Sequence, residues 1–341
     1  MAITRSNDNF FGLTEFTEEI NQIDRQFSII DPSRVDMRPT TQTAVLFDLS
    51  KTETVLLPAV ERGGRATTVG KDNDYQAFSL PLSFFKHEDY LTQEDVLGVR
   101  RIGTPDEFQT IDLARAEKLQ KMRRQADQTE AYMLTKMAFE GKCVSPDGQT
   151  FADMFDLFGI SQTEIDLNLG TSSTDLASKL RQIKRTVRDN LTNGGIMRGI
   201  EIYMNSDMYE RFVSHPSIKE AYRFFTANNN TPIRDDVTDM FVTNGVTIYS
   251  VDGSFKLPTG STADIIEDNT GHVIPLADDM FRGWFGPSDR LSHANNPNAV
   301  SELYSWEYDD GKDVNREMYV SMSRLLIPTR PAGLIRLTSS D

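Results

Sequence analysis

The sequence is informative first for what it lacks. Its 341 residues include one cysteine, Cys143, which excludes an intramolecular disulfide framework and a zinc site built from several cysteines. Only four histidines occur, and they are scattered without the spacing of metal ligands. No stretch approaches the roughly 18 apolar residues of a membrane span, and the N-terminus lacks the apolar segment of a signal peptide. These absences favour a protein of a reducing cytoplasm with no membrane partner.

Basic residues are scarce relative to acidic ones. The chain has 36 Lys and Arg against 51 Asp and Glu, a net charge of −15. A general nucleic-acid binder needs a positive surface to meet phosphate, so this balance argues against direct DNA binding. Much of the acidic excess lies in residues 227–280, where nine acidic residues accompany only Arg234 and Lys256.

Motifs that mark catalysis are also missing. The sequence has no P-loop, no dinucleotide-binding glycine motif, no G-x-S-x-G and no H-E-x-x-H. His87 lies beside two acids, and we interpret it as a surface or interface histidine. The acidic residues between Asp309 and Glu317 lack the spacing of an EF-hand and are better explained by a hairpin turn. We therefore expect no catalytic residue, no cofactor and no metal site.

Residues 1–40 are predicted to form an arm. Apolar residues recur there at three- and four-residue steps, the spacing of one helical face; they are Leu13, Phe16, Ile20, Ile23 and Phe27. Because nothing local covers this face, it must pack either on the core of its own chain or on a neighbouring subunit. On the second alternative, the arm is expected to be removable without unfolding the subunit.

Residues 41–82 are predicted to form an extended loop with flanking strands. Strand-forming segments at 43–49, 52–57 and 75–82 surround a polar tip that is rich in glycine. An isolated two-stranded ribbon of this length is only marginally stable in water. We therefore expect contacts with another subunit, with Arg62, Arg65 and Lys71 as candidate contact residues.

The strongest local pattern predicts a helix over residues 111–140, about 45 Å long at 1.5 Å per residue. Its narrow apolar stripe contains Leu119, Met122, Ala126, Met133 and Met137, and Ala131, Leu134 and Ala138 widen it towards the C-terminal end. Gly141 follows as a predicted left-handed C-cap. Its middle is basic through Arg115, Lys118, Lys121, Arg123 and Arg124. These side chains form either a solvated face balanced by acids of the same helix or a surface that meets nucleic acid or an acidic neighbour.

The rest of the chain alternates between strands and helices. Residues 150–158 are rich in aromatics and are expected to fill core. Residues 174–191 are predicted to form an amphipathic helix, followed by a strand at 200–204. A short helix follows, which either Asn205 or Ser206 caps and which runs through Phe212. Residues 300–341 are predicted to form strands of a β-sheet. The pattern therefore predicts an inserted α/β unit between about 171 and 299.

The order of these elements resembles the major capsid proteins of tailed bacteriophages, and more narrowly the lambda major capsid protein E family. The resemblance is diffuse in each patch and rests on order and spacing over nearly the whole chain. It is carried by Leu80–Leu82 leading through His87-Glu88 to Val99–Arg101, by Lys121–Arg124 and Gly141-Lys142, by Phe151–Phe158, by residues 272–285 and by Arg316–Leu337.

The resemblance implies an α+β fold of the HK97-like capsid type. Its parts would be an N-terminal arm, an extended loop with flanking strands, a peripheral domain with the long backbone helix, an axial domain and return strands of the peripheral domain. The corresponding residues would be 1–40, 41–82, 83–170, 171–299 and 300–341.

The implied function is self-assembly into hexamers and pentamers of an icosahedral shell around double-stranded DNA. The implied location is the virion capsid, assembled in the bacterial host cytoplasm with maturation from a procapsid. Implied partners are a separate scaffolding protein and a portal, and some relatives use a decoration protein. The alternatives are another virion structural protein, such as a tail or scaffold component, and an enzyme of unknown type.

Overall fold

The computed structural model describes residues 13–25, 28–50, 75–97, 110–191, 197–220, 240–243, 245–293, 300–309 and 315–340. The helices are α1 (Thr17–Gln22), α2 (Ile111–Glu140), α3 (Met154–Phe158), α4 (Leu176–Asn190) and α5 (Ser206–Ser214). The strands are β1 (Leu13–Glu15), β2 (Val35–Pro39), β3 (Ala44–Ser50), β4 (Tyr75–Pro81), β5 (Ser83–Thr92), β6 (Lys142–Val144), β7 (Thr150–Asp153), β8 (Thr163–Asp166), β9 (Met197–Met204), β10 (Met240–Thr243), β11 (Val246–Ser250), β12 (Ser254–Lys256), β13 (Thr262–Asp264), β14 (Thr270–Ala277), β15 (Phe281–Phe285), β16 (Tyr304–Asp309), β17 (Asn315–Pro328) and β18 (Ile335–Thr338).

The chain forms two compact units, and each contains several separate stretches of sequence. The first unit is drawn from residues 1–45, 80–134 and 283–326, and the second from residues 46–79, 135–282 and 327–341. These divisions differ from the predicted boundaries at 171 and 300. The last strand explains one difference, because β18 pairs with β14 and β8 in the sheet of the second unit.

The first unit is built on a six-stranded sheet. Its strands follow the order β1-β16-β17-β15-β2, and β5 also pairs with β17. Alternate residues of β17 point to one face of the sheet, as the two-residue period of a strand requires. Met318, Val320 and Met322 are buried there in one apolar cluster with Leu119 and Met122 of α2. The helix therefore covers one face of this sheet.

The long helix α2 has the predicted bounds, Ile111–Glu140. In its N-terminal part only a narrow stripe is buried, including Ala114 and Leu119. Over residues 130–139 the stripe is wider than a single narrow face, because eight of these ten positions are buried, including Leu134 and Ala138. Gly141 follows with φ of 69°, as predicted for the C-cap, and a Cβ atom on it would lie 2.5 Å from the Phe155 ring.

The second unit has a six-stranded mixed sheet in the order β10-β11-β9-β14-β18-β8. Helix α4 agrees with the predicted amphipathic helix, and its apolar side chains at 176, 180, 183 and 187 are all buried. The side chain of Asp175 caps it by accepting a hydrogen bond of 3.2 Å from the Ser178 N–H. Asn205 caps α5 in the same way through the Asp207 N–H, at 2.9 Å.

Two smaller predictions are confirmed in part. Strands β3 and β4 form a two-stranded sheet at the base of the predicted extended loop, whose tip lies outside the described residues. The aromatic segment is half strand, in β7, and half helix, in α3. Met154 and Phe155 are buried as expected, whereas Leu157 and Phe158 are only half-buried.

Buried His272 is the most strongly perturbed histidine of the second unit. Its ring stacks on Phe139 with a centroid distance of 4.5 Å and an interplanar angle of 6°. Burial, reinforced by the positive charge of Arg336, lowers the pKa of His272 to about 3. The imidazole is therefore neutral in the folded chain over the whole physiological range.

This pKa predicts a pH-dependent stability. As the pH falls below about 6.5 the unfolded chain gains a proton at His272 that the folded chain does not accept, so stability decreases by up to about 1.4 kcal/mol per pH unit. We expect His272→Gln to flatten the dependence of the urea midpoint on pH between about 6.5 and 5, where most carboxylates remain ionised. Substitution of the exposed His87 by Gln is the control and should keep the wild-type slope. Equal slopes for His272→Gln and wild type would contradict this assignment.

Candidate assembly surface

The N-terminal arm is part strand and part helix. Leu13 lies in β1, where it pairs with Tyr308 of β16, and the helix that follows is only six residues long. The prediction of one helical face that starts at Leu13 is therefore wrong at its beginning. The physical reason is that the edge of the sheet offers the backbone of β1 hydrogen bonds that an isolated short helix cannot match.

The described part of the predicted arm face packs on its own chain. Ile20 is fully buried in the cluster that joins α2 to β17, and Phe16 and Ile23 are half-buried against the same cluster. The ring of Phe16 also lies 5.3 Å from the guanidinium carbon of Arg115. Of the two alternatives for this face, packing on the same chain is the one observed for these three residues.

This packing also changes what removal of the arm should do. Residues 1–40 include β1, β2 and Ile20, which belong to the sheet and core of the first unit. We therefore expect their removal to destabilise the subunit itself, contrary to the expectation from sequence. Phe27, Arg62, Arg65 and Lys71 lie outside the described residues, and their contact with another subunit stays a prediction.

The basic side chains of α2 are largely neutralised within the chain. Arg115 Nε lies 2.8 Å from Glu307 Oε2 of β16, and Lys118 Nζ lies 3.1 Å from Asp95 Oδ2. Lys121 Nζ lies 3.4 Å from Asp89 Oδ2. Burial acts to raise the pKa of Asp89, but the hydrogen bond from the Tyr90 N–H and the positive charges of Lys118 and Lys121 together lower it.

The fourth basic residue, Arg123, pairs with Asp127 of the same helix at 3.0 Å. The neutralising acids thus come partly from other elements and partly from α2 itself, where Arg115 also lies 2.7 Å from Asp112. A helix face whose cations are paired in this way has little charge left for nucleic acid.

Six charged residues form a cluster in the first unit, which we call the charge cluster. They are Arg25, Arg123, Asp127, Glu130, Glu302 and Arg324. Four of them are buried, whereas the side chains of Arg25 and Glu302 are 35% and 37% exposed. Three cations meet three anions, so the cluster is neutral overall. It connects the arm, α2 and the strands after residue 300, because Arg25 pairs with Glu302 and Arg123 donates a hydrogen bond of 3.2 Å to the Ile20 carbonyl. Although burial opposes it, the charges of Glu130 and Glu302 raise the pKa of Arg25.

Arg324 is the most demanding member of the charge cluster. It follows Met322 at the next position of β17 that points towards α2, and its side chain is fully buried. Its Nε atom is 3.6 Å from Glu130 Oε1, and its guanidinium carbon is 5.8 Å from the Phe285 ring. Among the described residues no acceptor lies within hydrogen-bond distance of its three nitrogens. A buried cation in this position depends on the single carboxylate of Glu130.

Sequence reasoning missed this cluster, although the sequence carries a signal for it. Arg324 is the one charged residue among the last nine positions of β17, and Glu130 begins the part of α2 in which most positions are buried. A charge inside an apolar strand or helix pattern indicates a buried partner of opposite sign. Which two charges meet across nearly 200 residues of chain is not determined by spacing.

The other face of the first unit's sheet carries aromatic side chains. Trp306 and Tyr319 stack with ring centroids 5.5 Å apart, and Lys86 Nζ lies 5.1 Å from the Tyr319 ring. Phe84 and Tyr90 on β5 are each 43% exposed. Several apolar side chains elsewhere are also well exposed, namely Leu46, Leu97, Val242 and Leu291. A surface of this kind suits contacts with other protein chains better than permanent exposure to water.

Comparison with known proteins identifies the family. The sequence profile of the family described as Phage major capsid protein E matches residues 12–339. The chain belongs to this family.

Individual relatives of this capsid protein agree. The major capsid protein of Salmonella phage Felix O1 is 27% identical, over 98% of this chain and 97% of that protein. The major capsid protein of Pseudomonas phage KPP10 is 25% identical, over 90% of this chain and 91% of the relative. A crystal structure described as that of a capsid protein from an Escherichia coli CFT073 prophage covers both chains completely, with a TM-score of 0.62 and 11% identity. The predicted α+β HK97-like capsid fold is thereby confirmed.

In the described part of this capsid protein, no helix combines the length and the apolar character that crossing a membrane would require. Across the same residues, no three His, Cys, Asp or Glu side chains converge in a way that would hold a metal ion.

The packing of the arm leads to a stability prediction. Ile20→Ala should lower the free energy of unfolding of the unassembled subunit by about 2–5 kcal/mol, because it leaves a cavity in the core of the first unit. Urea denaturation of the unassembled chain measures this loss. Ile160→Ala, at a position 37% exposed, is the control and should change stability by less than about 0.5 kcal/mol. A wild-type midpoint for Ile20→Ala would mean that this side chain stabilises only the assembled state.

The charge cluster leads to a second prediction. Glu130→Gln should destabilise the subunit by about 3–5 kcal/mol, because it leaves the Arg324 cation buried without a counter-charge. The double variant Glu130→Leu with Arg324→Met removes both charges and should recover most of that loss. Denaturation of this double variant and of its two single variants, Glu130→Leu and Arg324→Met, gives the coupling energy between the two side chains. Additive losses would contradict a direct dependence of Arg324 on Glu130.

Proposed function

We propose that this chain is the main building block of the head of a tailed double-stranded DNA bacteriophage, and that it assembles into the hexamers and pentamers of an icosahedral shell. The observation that carries the proposal is the family match over residues 12–339 together with the capsid fold. The charge pairing of α2 and the aromatic face of the first sheet support it, because both suit a protein that contacts protein.

The parts of the chain have separate roles in this proposal. Residues 83–170 and 300–341 form the peripheral domain around α2, except that β18 adds to the sheet of β14; residues 171–299 form the axial domain near the ring axis. The extended loop of residues 41–82 reaches another subunit through Arg62, Arg65 and Lys71. The arm contributes through residues before Leu13 and through Phe27, since Ile20 is occupied within its own chain.

The proposal includes partners and a place of assembly. A separate scaffolding protein and a portal take part in assembly in the bacterial cytoplasm, and a decoration protein binds the finished virion in some members of the group. The shell encloses the genome without sequence-specific binding, because a subunit of charge −15 repels phosphate on average. The protein acts as a structural component and not as an enzyme.

Electron microscopy tests the proposal directly. We expect the full chain, expressed in a bacterium and purified at micromolar concentration, to form closed shells of one diameter in negative stain. Ile20→Ala, which weakens the subunit, is the control and should yield fewer shells of the same diameter. Tubes or open rings would indicate a tail component instead, and a monomer at every concentration would contradict self-assembly.

A further inference from the structure

Helix α4 of the second unit carries a row of unneutralised arginines, which we call the arginine stripe. It consists of Arg181, Arg185 and Arg188, whose spacing of four and three residues places them on one face of the helix. All three are exposed, on the side away from the buried apolar residues of α4. The stripe extends for about 10 Å along the helix.

The arginine stripe has few partners of its own. Arg181 lies 3.6 Å from Asp175, in a pair whose side chains are 66% and 60% exposed, so that contact is weak. Over the described residues, Arg185 and Arg188 have no ion pair or hydrogen bond. Such a row of cations is unexpected on a chain with a charge of −15, whose other basic helix, α2, is largely neutralised.

A complementary surface lies elsewhere in the same unit, and we call it the acidic patch. It consists of Asp252, Asp264 and Asp268, which are exposed and have no ion pair within the described part of the chain. Asp252 accepts a hydrogen bond of 2.9 Å from Ser206, and Asp268 accepts one of 3.3 Å from Asn205, so the two converge at the start of α5.

The third carboxylate belongs to the same patch. Asp264 lies opposite Ser254 in the β12–β13 pair, and the Ile265 N–H donates a hydrogen bond of 3.1 Å to the Gly253 carbonyl. Asp264 is thereby held next to the chain segment that carries Asp252. The acidic patch therefore presents three carboxylates, as many as the arginine stripe has guanidinium groups.

We infer that the arginine stripe of one subunit docks on the acidic patch of a second copy of this chain. The two surfaces match in sign and in number of charges, and no ion pair joins them within one chain over the described residues. Rings of identical subunits close through heterologous contacts, which need two different surfaces on each copy. This inference rests on the proposed self-assembly and adds a pair of surfaces to it.

Packaged DNA is the other candidate for the arginine stripe. If the arginine stripe bound the phosphates of DNA, it would be needed only after the shell has formed, and no complementary protein surface would be required. The acidic patch favours the second copy. If the stripe bound DNA instead, the three carboxylates of the patch would have no cationic partner surface. Docking of the two surfaces predicts that assembly of empty shells depends on the stripe.

Charge reversal tests the docking. We expect the triple variant R181E/R185E/R188E to lower the yield of shells by about tenfold or more, because like charges then face each other at the contact. Circular dichroism should show an unchanged fold, since all three positions are exposed. Wild-type chain prepared in parallel is the control. If the wild type forms no shells, the self-assembly proposal fails; if it forms shells, a loss in the variant reports on the docking alone.

Charge exchange decides between the occupants. Adding D252K/D264K/D268K to the reversed chain restores opposite charges across the contact and should recover shells to within about threefold of wild type. R124E makes the same change at another exposed helical arginine, and the lysine substitutions should not reverse any defect that it causes. Absence of rescue would overturn the inference. Normal formation of empty shells by the reversed variant would also overturn it. In that case, loss of DNA packaging would indicate that the arginine stripe binds nucleic acid, and normal packaging would indicate that it is a solvated face.

Discussion

The single carboxylate of Glu130 is the interaction on which the first unit depends most. It is the only counter-charge within reach of the fully buried Arg324 among the described residues, and it also acts on Arg25 in the arm. Desolvating a guanidinium costs several kcal/mol, so this arrangement is stable only where the surrounding chain is fixed. The charge cluster therefore ties the position of α2 to that of β17 and of the arm at once. Apolar packing alone tolerates small shifts of these elements, whereas a buried ion pair does not.

This dependence explains why the arm belongs to the subunit and is not merely an appendage. Ile20 fills the same core that joins α2 to β17, and its carbonyl accepts a hydrogen bond from Arg123. The arm also adds β1 to the edge of the sheet. In the proposed assembly, this anchoring holds the remaining residues of the arm at a defined place, which limits the entropy lost when a neighbour binds them.

Sequence periodicity was sufficient for the elements whose stability is local. The bounds of α2, the buried face of α4 and the cap at Asn205 follow from spacing and capping chemistry. The first residues of the arm were assigned to a helix because Leu13 fits the helical spacing, but pairing with Tyr308, 295 positions later, decides their conformation. Edge pairing and the partnership of Glu130 with Arg324 join distant residues, and a periodic pattern contains no information about such distances.

The same limit applies to the surfaces that matter for assembly. Net charge predicted correctly that the chain as a whole is acidic, but it could not show which cations are already neutralised. The structure distinguishes the two basic helices. Basic side chains of α2 pair with Asp89, Asp95 and Glu307, whereas the three arginines of the stripe on α4 remain exposed. A shell held by large contact areas needs only a few such uncompensated groups to fix the orientation of its subunits, because complementary charges contribute more to specificity than to affinity. In the docking inferred above, assembly depends less on the overall excess of acid over base than on where the few uncompensated cations lie.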